Sequence, residues 1–299
     1  MLNRFLALSR TTHGILDVAM PGFTALLWLG AFPAWQVLLL SLLTAFAGYT
    51  AIYALNDLAG IKTDQEKFSG PGINQGYSVE ASHMRYPLAQ NLVSFRGGLA
   101  WFGFWYALTL AGAYLLNPAI VWIVIAAAAL EVIYCRLLKI TYWRTLVSGL
   151  VKSCGPVAAV FVVNPKPSLP LLLLMLAWLM LWEIGGQNIP ADWNDVEEDK
   201  RVGAKTIPLT LGPQKAGQLV VITLTLTVLL SLFLSLISPI ALGLPYLVVT
   251  ALVGLVLLIL PGIQLSHLPE SRQAGRLFDR ASYYPLAQLA VMTAFVLLT

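Results

Sequence analysis

Residues 169–201 read LPLLLLMLAWLMLWEIGGQNIPADWNDVEEDKR, an apolar run that ends in a dense acidic cluster. The apolar part, 169–188, has about the 20 residues that a helix needs to cross the hydrocarbon core of a bilayer. Asp192, Asp195 and Asp199 follow at helical spacing, so on a helix their side chains would project from one face. The stretch predicts a membrane-spanning helix with a carboxylate face at its end.

The whole chain shares this apolar character. Of its 299 residues, 58% are hydrophobic and 11% are charged, and the mean hydropathy is +0.78. A soluble domain usually has about 25% charged residues. We therefore predict an all-α polytopic membrane protein with nine transmembrane helices. The predicted spans are 15–32, 35–55, 97–116, 118–135, 144–163, 169–188, 216–237, 239–261 and 281–299.

Lysine and arginine fall almost entirely on one side of these nine spans, and Lys166 alone lies on the other side. By the positive-inside rule, the side that is rich in lysine and arginine is cytoplasmic. We expect an integral protein of the bacterial inner (plasma) membrane with both acidic clusters in the cytoplasm. The net charge of +4 comes from this bias, so we expect no nucleic-acid partner. Cys135 and Cys154 are expected to stay unpaired.

A second acidic cluster, NDLAGIKTD at 56–64, follows the predicted span 35–55. Eight of the fourteen carboxylates lie in or beside the two clusters. Carboxylates this crowded repel one another unless a cation shares them. Mg²⁺ prefers oxygen ligands and is often held by a few carboxylates together with substrate phosphates. The pattern predicts Mg²⁺, a phosphorylated ligand, and metal ligation by Asn56, Asp57, Asp64, Asp192, Asp195 and Asp199.

Two acidic faces across a cavity would bind two or more Mg²⁺ ions and a diphosphate between them. The metals would neutralise the charge that develops as the diphosphate departs. In apolar surroundings, the group that the diphosphate leaves is most simply an allylic isoprenoid. Aromatic rings in the cavity can shield the allylic cation that this departure creates. The candidate aromatic residues are Tyr53, Tyr134, Trp178 and Trp182. The candidate cations for the outer diphosphate oxygens are Arg136, Lys139, Lys200 and Arg201. Gln187 and Asn188 are expected at the cavity mouth.

Lys152 lies inside the predicted span 144–163, where a charge costs about 2.5–3.5 kcal/mol on insertion scales. Two interpretations stay open. Its side chain snorkels to the cytoplasmic face, or it serves the cavity and pairs with Glu131, Glu183 or another cavity residue. Asp17 is expected at the membrane interface.

These motifs resemble those of the UbiA superfamily of intramembrane prenyltransferases. Asn56, Asp57 and Asp64 match the first motif of that family, Asn-Asp-x-x-Asp-x-x-x-Asp, but Gly60 replaces its middle aspartate. The second motif, Asp-x-x-Asp-x-x-x-Asp, is matched in full by Asp192, Asp195 and Asp199. Further similarity lies in Arg85-Tyr86-Pro87-Leu88, Tyr134 to Lys139, Lys200 to Thr206, and Arg276-Leu277-Phe278. Because of Gly60, one ligand position stays open to water, Asn56 or Glu66.

The resemblance implies one UbiA-like domain over 1–299, with nine transmembrane helices around a central cavity. Its cytoplasmic loops, at about 56–96 and 189–215, would carry the motifs. It implies Mg²⁺-dependent transfer of an isoprenyl group from an isoprenyl diphosphate to an aromatic or other lipophilic acceptor. The expected catalytic residues are Asp57, Asp64, Asp192, Asp195 and Asp199. The expected substrate-binding residues are Asn56, Tyr134, Arg136, Lys139, Lys152, Asn188, Lys200 and Lys205.

Three alternatives remain open. A terpene cyclase of the same family would ionise the same donor but let the prenyl chain attack its own cation, and Gly60 is compatible with such changed chemistry. A cation-coupled transporter would place ionisable residues near the middle of the membrane. Acidic loops at a membrane face are also often simply solvated.

Overall fold

The computed structural model describes residues 2–69 and 84–298, and every regular element within these ranges is helical. Eight helices in this part of the chain are long and apolar enough to cross a membrane. The remaining predicted span, 15–32, is present as two shorter helices, α2 (Thr11–Asp17) and α3 (Ala19–Leu29), which follow α1 (Leu2–Leu8). The prediction of an all-α membrane protein is confirmed, and nine spans is close to what the fold contains.

The first half of the bundle is built from α4 (Trp35–Phe68), α5 (Phe95–Leu116) and α6 (Pro118–Leu137). Helix α5 begins where the Ser94 hydroxyl accepts a hydrogen bond from the Gly97 amide, and α6 begins with a proline after the Asn117 cap. Helix α4 packs against both neighbours. A Cβ atom at Gly112 would collide with the Thr44 side chain, so the glycine allows α4 and α5 to approach closely.

Helix α4 does not end near residue 55 as predicted but continues through the first acidic cluster to Phe68. The predicted loop 56–96 is therefore wrong in its first third. The reason is packing: Leu58 and Ile61 continue the inward face of α4 and contact a small core that includes Leu8 and Leu88. An amphipathic helix can leave the apolar layer without ending when it still has a partner to pack on.

The second half begins with α7 (Arg144–Val163) and α8 (Leu169–Trp182). A π-helical turn at Glu183–Asn188 then leads into α9 (Ile189–Asn194) and α10 (Val196–Arg201). The remaining helices are α11 (Ile207–Leu211), α12 (Pro213–Phe233), α13 (Gly243–Gly254), α14 (Leu260–His267) and α15 (Ser271–Leu298). A 3-10 turn at Leu234–Leu236 follows α12, and a π-helical turn at Leu255–Ile259 joins α13 to α14. The predicted loop 189–215 is thus largely helical, and the single helix expected for the second cluster is interrupted at Asp195.

The helices close around a central space. Helix α3 packs against α7 and α15, α7 packs against α6 and α8, and α8 packs against α12. The main core joins α3, α8, α13 and α15 through large buried side chains such as Phe23, Trp178, Tyr246 and Tyr284. Large apolar side chains such as Trp122 are exposed on the outside, where a bilayer would cover them.

Candidate active site

A cavity of about 1010 Å³ lies among helices α1 to α7, α9, α10 and α15. It reaches from the ends of α4 and α9 to the opposite ends of the bundle, where Phe32 and Leu116 line it. Its polar end is lined by Asn56, Asp57, Asp64, Asp192, Asp195 and Asp199. Both acidic clusters therefore face one shared space.

These carboxylates are not solvated at the membrane surface. The exposed fractions are 2% for Asp57, 6% for Asp64, 7% for Asp192 and 1% for Asp199. Burial of an ionised carboxylate is costly unless a cation or several hydrogen-bond donors compensate it. The solvated interpretation of the clusters is therefore wrong for these four residues.

The first cluster is held by Arg10, which follows α1. The Arg10 Nη2 atom donates to Asn56 Oδ1 at 3.1 Å and lies 3.5 Å from Asp57 Oδ1. The Asn56 amide nitrogen donates to Glu131 Oε1 at 2.5 Å. Arg10 and Glu131 thus fix the orientation of the Asn56 amide, and its oxygen already accepts one hydrogen bond.

Asp64 occupies the space that the missing side chain at Gly60 leaves open. A Cβ atom built on Gly60 would lie 2.9 Å from Asp64 Oδ2, so this carboxylate lies back along α4 by one turn. Glu66, one of the three replacements considered for the missing aspartate, instead pairs with Lys139 at 2.5 Å on the exposed side. Asp64, which was not among the three candidates, is therefore the carboxylate that lies nearest to the side-chain position at Gly60.

The second cluster is divided between two short helices. Asp195 lies between α9 and α10 with φ −99° and ψ 12°, outside helical geometry. Each aspartate of the motif binds a cation from a different part of the chain. Arg144 on α7 donates to Asp192, Arg85 lies 2.6 Å from Asp195, and Lys67 on α4 lies 2.8 Å from Asp199.

Tyr86 lies at the centre of the cations that surround the clusters. Its φ is +49°, a left-handed conformation that is uncommon for a bulky residue and is often found at functional sites. The ring lies 5.4 Å from the Arg85 guanidinium, 5.7 Å from that of Arg10 and 5.8 Å from Lys67 Nζ. The phenol donates to Asp195 Oδ2 at 3.3 Å. Burial, and then the charge of Asp195, raises the pKa of Tyr86 well above its ordinary value, so the phenol stays a donor.

The cations predicted beside the clusters lie elsewhere. Lys200 pairs with Glu197 on the exposed side of α10, and Lys139 pairs with Glu66. Arg136 and Lys205 are also exposed, and none of these four lines the cavity. The cavity-lining cations are Arg10, Lys67, Arg85, Arg144 and Lys152.

Lys152 does serve the cavity rather than snorkel. Its Nζ atom lies 2.7 Å from Asp17 Oδ2, 2.9 Å from Tyr53 Oη and 3.5 Å from His13 Nε2. Asp17 is only 3% exposed, so it lies inside the bundle, and its location at the membrane interface stays a prediction. Its burial is compensated by Lys152 and by the Tyr53 hydroxyl, which donates to it at 2.5 Å.

Two of the four candidate aromatic residues, Tyr53 and Tyr134, line the cavity, whereas Trp178 and Trp182 lie in the main core. The Arg144 guanidinium lies 4.5 Å from the Tyr134 ring centre, and the Tyr134 hydroxyl accepts a hydrogen bond from Asn188 at 2.9 Å. Asn188 and its neighbour Gln187 line the cavity from the π-helical turn.

The donor set at the polar end fits a hard divalent cation. It consists of carboxylate and amide oxygens, the ligand type of Mg²⁺. Within residues 2–69 and 84–298, no three His, Cys, Asp or Glu side chains form a group that could hold a metal by itself. A protein cation pairs with each aspartate of the second cluster. This arrangement fits Mg²⁺ held by one or two carboxylates from each cluster together with phosphate oxygens, rather than a cage made of protein alone.

Comparison with known proteins gives a consistent result. A family model described as the UbiA prenyltransferase family matches residues 18–284. No curated protein matches the chain. The apo structure of a UbiA homologue from Aeropyrum pernix K1 aligns with 96% of this chain and 98% of its own, with a TM-score of 0.70 and 22% identity.

Two further solved structures share the fold. A UbiA homologue from Archaeoglobus fulgidus bound to GPP and Mg²⁺ aligns with 97% of this chain and 99% of its own, with a TM-score of 0.65 and 17% identity. A structure described for digeranylgeranylglyceryl phosphate synthase aligns with 99% of this chain and 97% of its own, with a TM-score of 0.66 and 18% identity. At such low identities the similarity establishes the fold.

Proposed function

Because the chain belongs to the UbiA prenyltransferase family, we propose that it transfers an isoprenyl group from an isoprenyl diphosphate to an aromatic or other lipophilic acceptor within the membrane. One observation carries the proposal: two buried acidic clusters line the polar end of a single cavity whose walls are otherwise largely apolar. A diphosphate fits the polar end, and an isoprenoid tail fits the apolar walls.

Mg²⁺ is the proposed cofactor. The Archaeoglobus fulgidus homologues bound to GPP or DMAPP with Mg²⁺ support this assignment. The residues that would hold the metal are Asp57, Asp64, Asp192, Asp195 and Asp199. When bound, the metal would neutralise the charge that develops on the departing diphosphate.

Protein cations would bind the remaining diphosphate oxygens. Arg85 and Arg144 present planar guanidinium groups suited to two-pronged contacts with phosphate, and Arg10 and Lys67 flank the same space. All four contact carboxylates of the clusters. We propose that they exchange these carboxylates for phosphate oxygens as the metal and the donor bind. This assignment replaces Arg136, Lys139, Lys200 and Lys205, which lie outside the cavity.

The rest of the cavity would accommodate the hydrocarbon. Once the carbon–oxygen bond of the donor breaks, the allylic cation would face the Tyr53 and Tyr134 rings. We further propose that the polar end of the cavity faces the cytoplasm, since almost all Lys and Arg outside the spans belong to that side.

The experiment is product analysis with purified protein in detergent. Wild-type protein with Mg²⁺ and isoprenyl diphosphates of several lengths should release diphosphate and, with an acceptor, form a prenylated product detectable by mass spectrometry. Asp57→Asn and Asp192→Asn should each lower the rate by at least about 10²-fold, the scale of lost electrostatic stabilisation in a buried site. Glu197→Gln is the matched control, because Glu197 is an exposed carboxylate of the second cluster.

The alternatives give different results in the same assay. A cyclic hydrocarbon formed without an acceptor would assign the chain as a terpene cyclase. Absence of any Mg²⁺-dependent diphosphate release from every donor would contradict both enzymatic assignments and favour a transporter. Undiminished turnover in Asp57→Asn and Asp192→Asn would show that the reaction takes place elsewhere.

A further inference from the structure

Glu131, on α6, is a carboxylate in the cavity that has no role in the diphosphate binding proposed above. It is 6% exposed, lines the cavity and lies within a membrane-spanning helix. An ionisable group at such a position is expensive to keep and usually has a function. Its surroundings indicate which function.

The hydrogen bonds around Glu131 give its two oxygens different environments. Arg10 donates to Asn56 Oδ1 at 3.1 Å, so the amide nitrogen of Asn56 points to Glu131 and donates to Oε1 at 2.5 Å. Cys135 Sγ also contacts Oε1, at 3.8 Å. Oε2 accepts no hydrogen bond from the part of the chain that the structure describes, and it keeps accessible surface. Glu131 is thus held by one oxygen and presents the other to the cavity.

Glu131 lies next to the polar end of the cavity, where the isoprenyl diphosphate would ionise. Glu131 is bonded to the residue that precedes Asp57. One helical turn further along α6, Tyr134 contacts Arg144 and Asn188 beside the second cluster. Glu131 therefore lies on the apolar side of both clusters, where the reacting carbon of a bound donor would enter the hydrophobic part of the cavity.

Two other buried carboxylates of this region have different surroundings. Asp17 Oδ2 accepts hydrogen bonds from both Lys152 and Tyr53. Glu183 Oε1 accepts one from the Ser148 hydroxyl at 2.6 Å, and Oε2 is fully enclosed. Of these three carboxylates, Glu131 is the one that combines a fixed orientation with an oxygen open to the cavity.

We propose that Glu131 is the base that removes the final proton in the transfer reaction, an assignment that rests on the proposed function. The donor carbon–oxygen bond breaks, and its electron pair leaves with the diphosphate. A π electron pair of the acceptor then forms the new carbon–carbon bond to the allylic carbon. The carbon–hydrogen electron pair at the attacked position restores the acceptor π system, and the proton passes to Glu131 Oε2.

Glu131→Gln tests the proposal, because the amide keeps the size and still accepts a hydrogen bond from Asn56. The probes are geranyl diphosphate, Mg²⁺ and 4-hydroxybenzoate, and released diphosphate and organic products are measured separately. We expect formation of the proton-loss product to fall by about 10²- to 10⁴-fold, the usual contribution of a general base. Diphosphate release should stay near the wild-type rate, and the isoprenyl alcohol formed by water capture should replace the missing product.

If wild-type protein does not prenylate this acceptor, loss of a proton from the allylic cation itself is the readout, and the ratio of olefin to alcohol replaces the transfer rate. Glu131→Asp should recover part of the lost product. Glu183→Gln is the matched control and should leave the partition between products close to wild type.

A purely structural role predicts another outcome. If Glu131 only positions Asn56, Glu131→Gln would lower diphosphate release and product formation by the same factor, and the partition between products would not change. That result, or an unchanged rate of both, would overturn the assignment. Failure of the wild-type protein to release diphosphate would instead contradict the proposed function itself.

Discussion

The two acidic clusters face the same cavity, but they are built differently. The first lies on the continuous helix α4, and within the described residues Asp64 forms no ion pair. The second is divided between α9 and α10, and each of its aspartates binds a cation from a distant part of the chain. The second cluster therefore ties α4, α7 and the segment after residue 84 together, whereas the first keeps a carboxylate available for an external cation.

The largest effect should come from breaking the ion pair that joins the second cluster to α7. Arg144→Met would leave Asp192 buried without a cation, which costs about 3–5 kcal/mol when one partner of a buried pair is removed. Thermal unfolding in detergent should show a large loss of stability. Lys200→Met is the control, because its exposed pair with Glu197 should contribute only about 0–1 kcal/mol.

A double variant sharpens this prediction. Arg144→Met combined with Asp192→Asn removes the uncompensated charge, so it should be more stable than Arg144→Met alone. Equal stability of the single and double variants would show that the pair does not hold the second cluster in place.

The next effect concerns metal binding at the first cluster. Asp64→Asn should weaken binding of Mn²⁺, used as a paramagnetic substitute for Mg²⁺, by about 10–100-fold, the scale seen when the surroundings of a metal site are disrupted. Electron paramagnetic resonance titration measures this without turnover. Stability should change little, since Asp64 forms no ion pair with a described residue. Unchanged Mn²⁺ affinity would remove Asp64 from the metal site.

A smaller effect is expected at Gly60, with opposite signs for stability and metal affinity. In Gly60→Ala the new methyl group would displace the Asp64 carboxylate, at a rotamer cost of about 0.5–1.5 kcal/mol, which is about a 2- to 12-fold loss of Mn²⁺ affinity. The same change should stabilise α4, because alanine is a better helix former than glycine. Affinity that rises in Gly60→Ala would contradict the position assigned to Asp64.

The smallest effect should follow Tyr86→Phe, which keeps the ring among its cations and removes only the hydrogen bond to Asp195. A loss of about 0.5 kcal/mol, the low end for one hydrogen bond, is expected because its O···O distance of 3.3 Å is long. It should appear as a modest rise in KM for the isoprenyl diphosphate. A much larger effect would indicate that the phenol contacts the substrate directly.

The same contrast explains what the sequence could predict. Long apolar runs and their acidic ends are local features, so the spans and the clustering of aspartates at their ends were predictable from the sequence. The cations that pair with the aspartates were not predictable, because residues that are close in a helical bundle can be far apart in sequence. Arg85 and Asp195 are 110 residues apart, and Arg10 and Asp57 are 47 residues apart. Arg136, Lys139, Lys200 and Lys205 lie close to the motifs in sequence but point away from the cavity.

Two further features of the fold have physical causes. The extension of α4 to Phe68 depends on the packing of Leu58 and Ile61 against a core formed by distant segments. The burial of Asp17 depends on Lys152, which lies 135 residues away. The charge on Lys152 was the available signal for this pair, since a lysine within a span requires a partner. The role proposed for Glu131 depends on the direction in which Asn56 is held, which only the assembled fold determines.

The most direct test of the shared site is a structure of the protein with Mn²⁺ and a non-hydrolysable isoprenyl thiodiphosphate, with metal positions located by anomalous scattering. The account predicts metal between the two clusters, ligated by at least one aspartate from 57 or 64 and one from 192, 195 or 199, with diphosphate oxygens completing the coordination. Metal bound by one cluster alone, with the diphosphate outside the cavity, would contradict it.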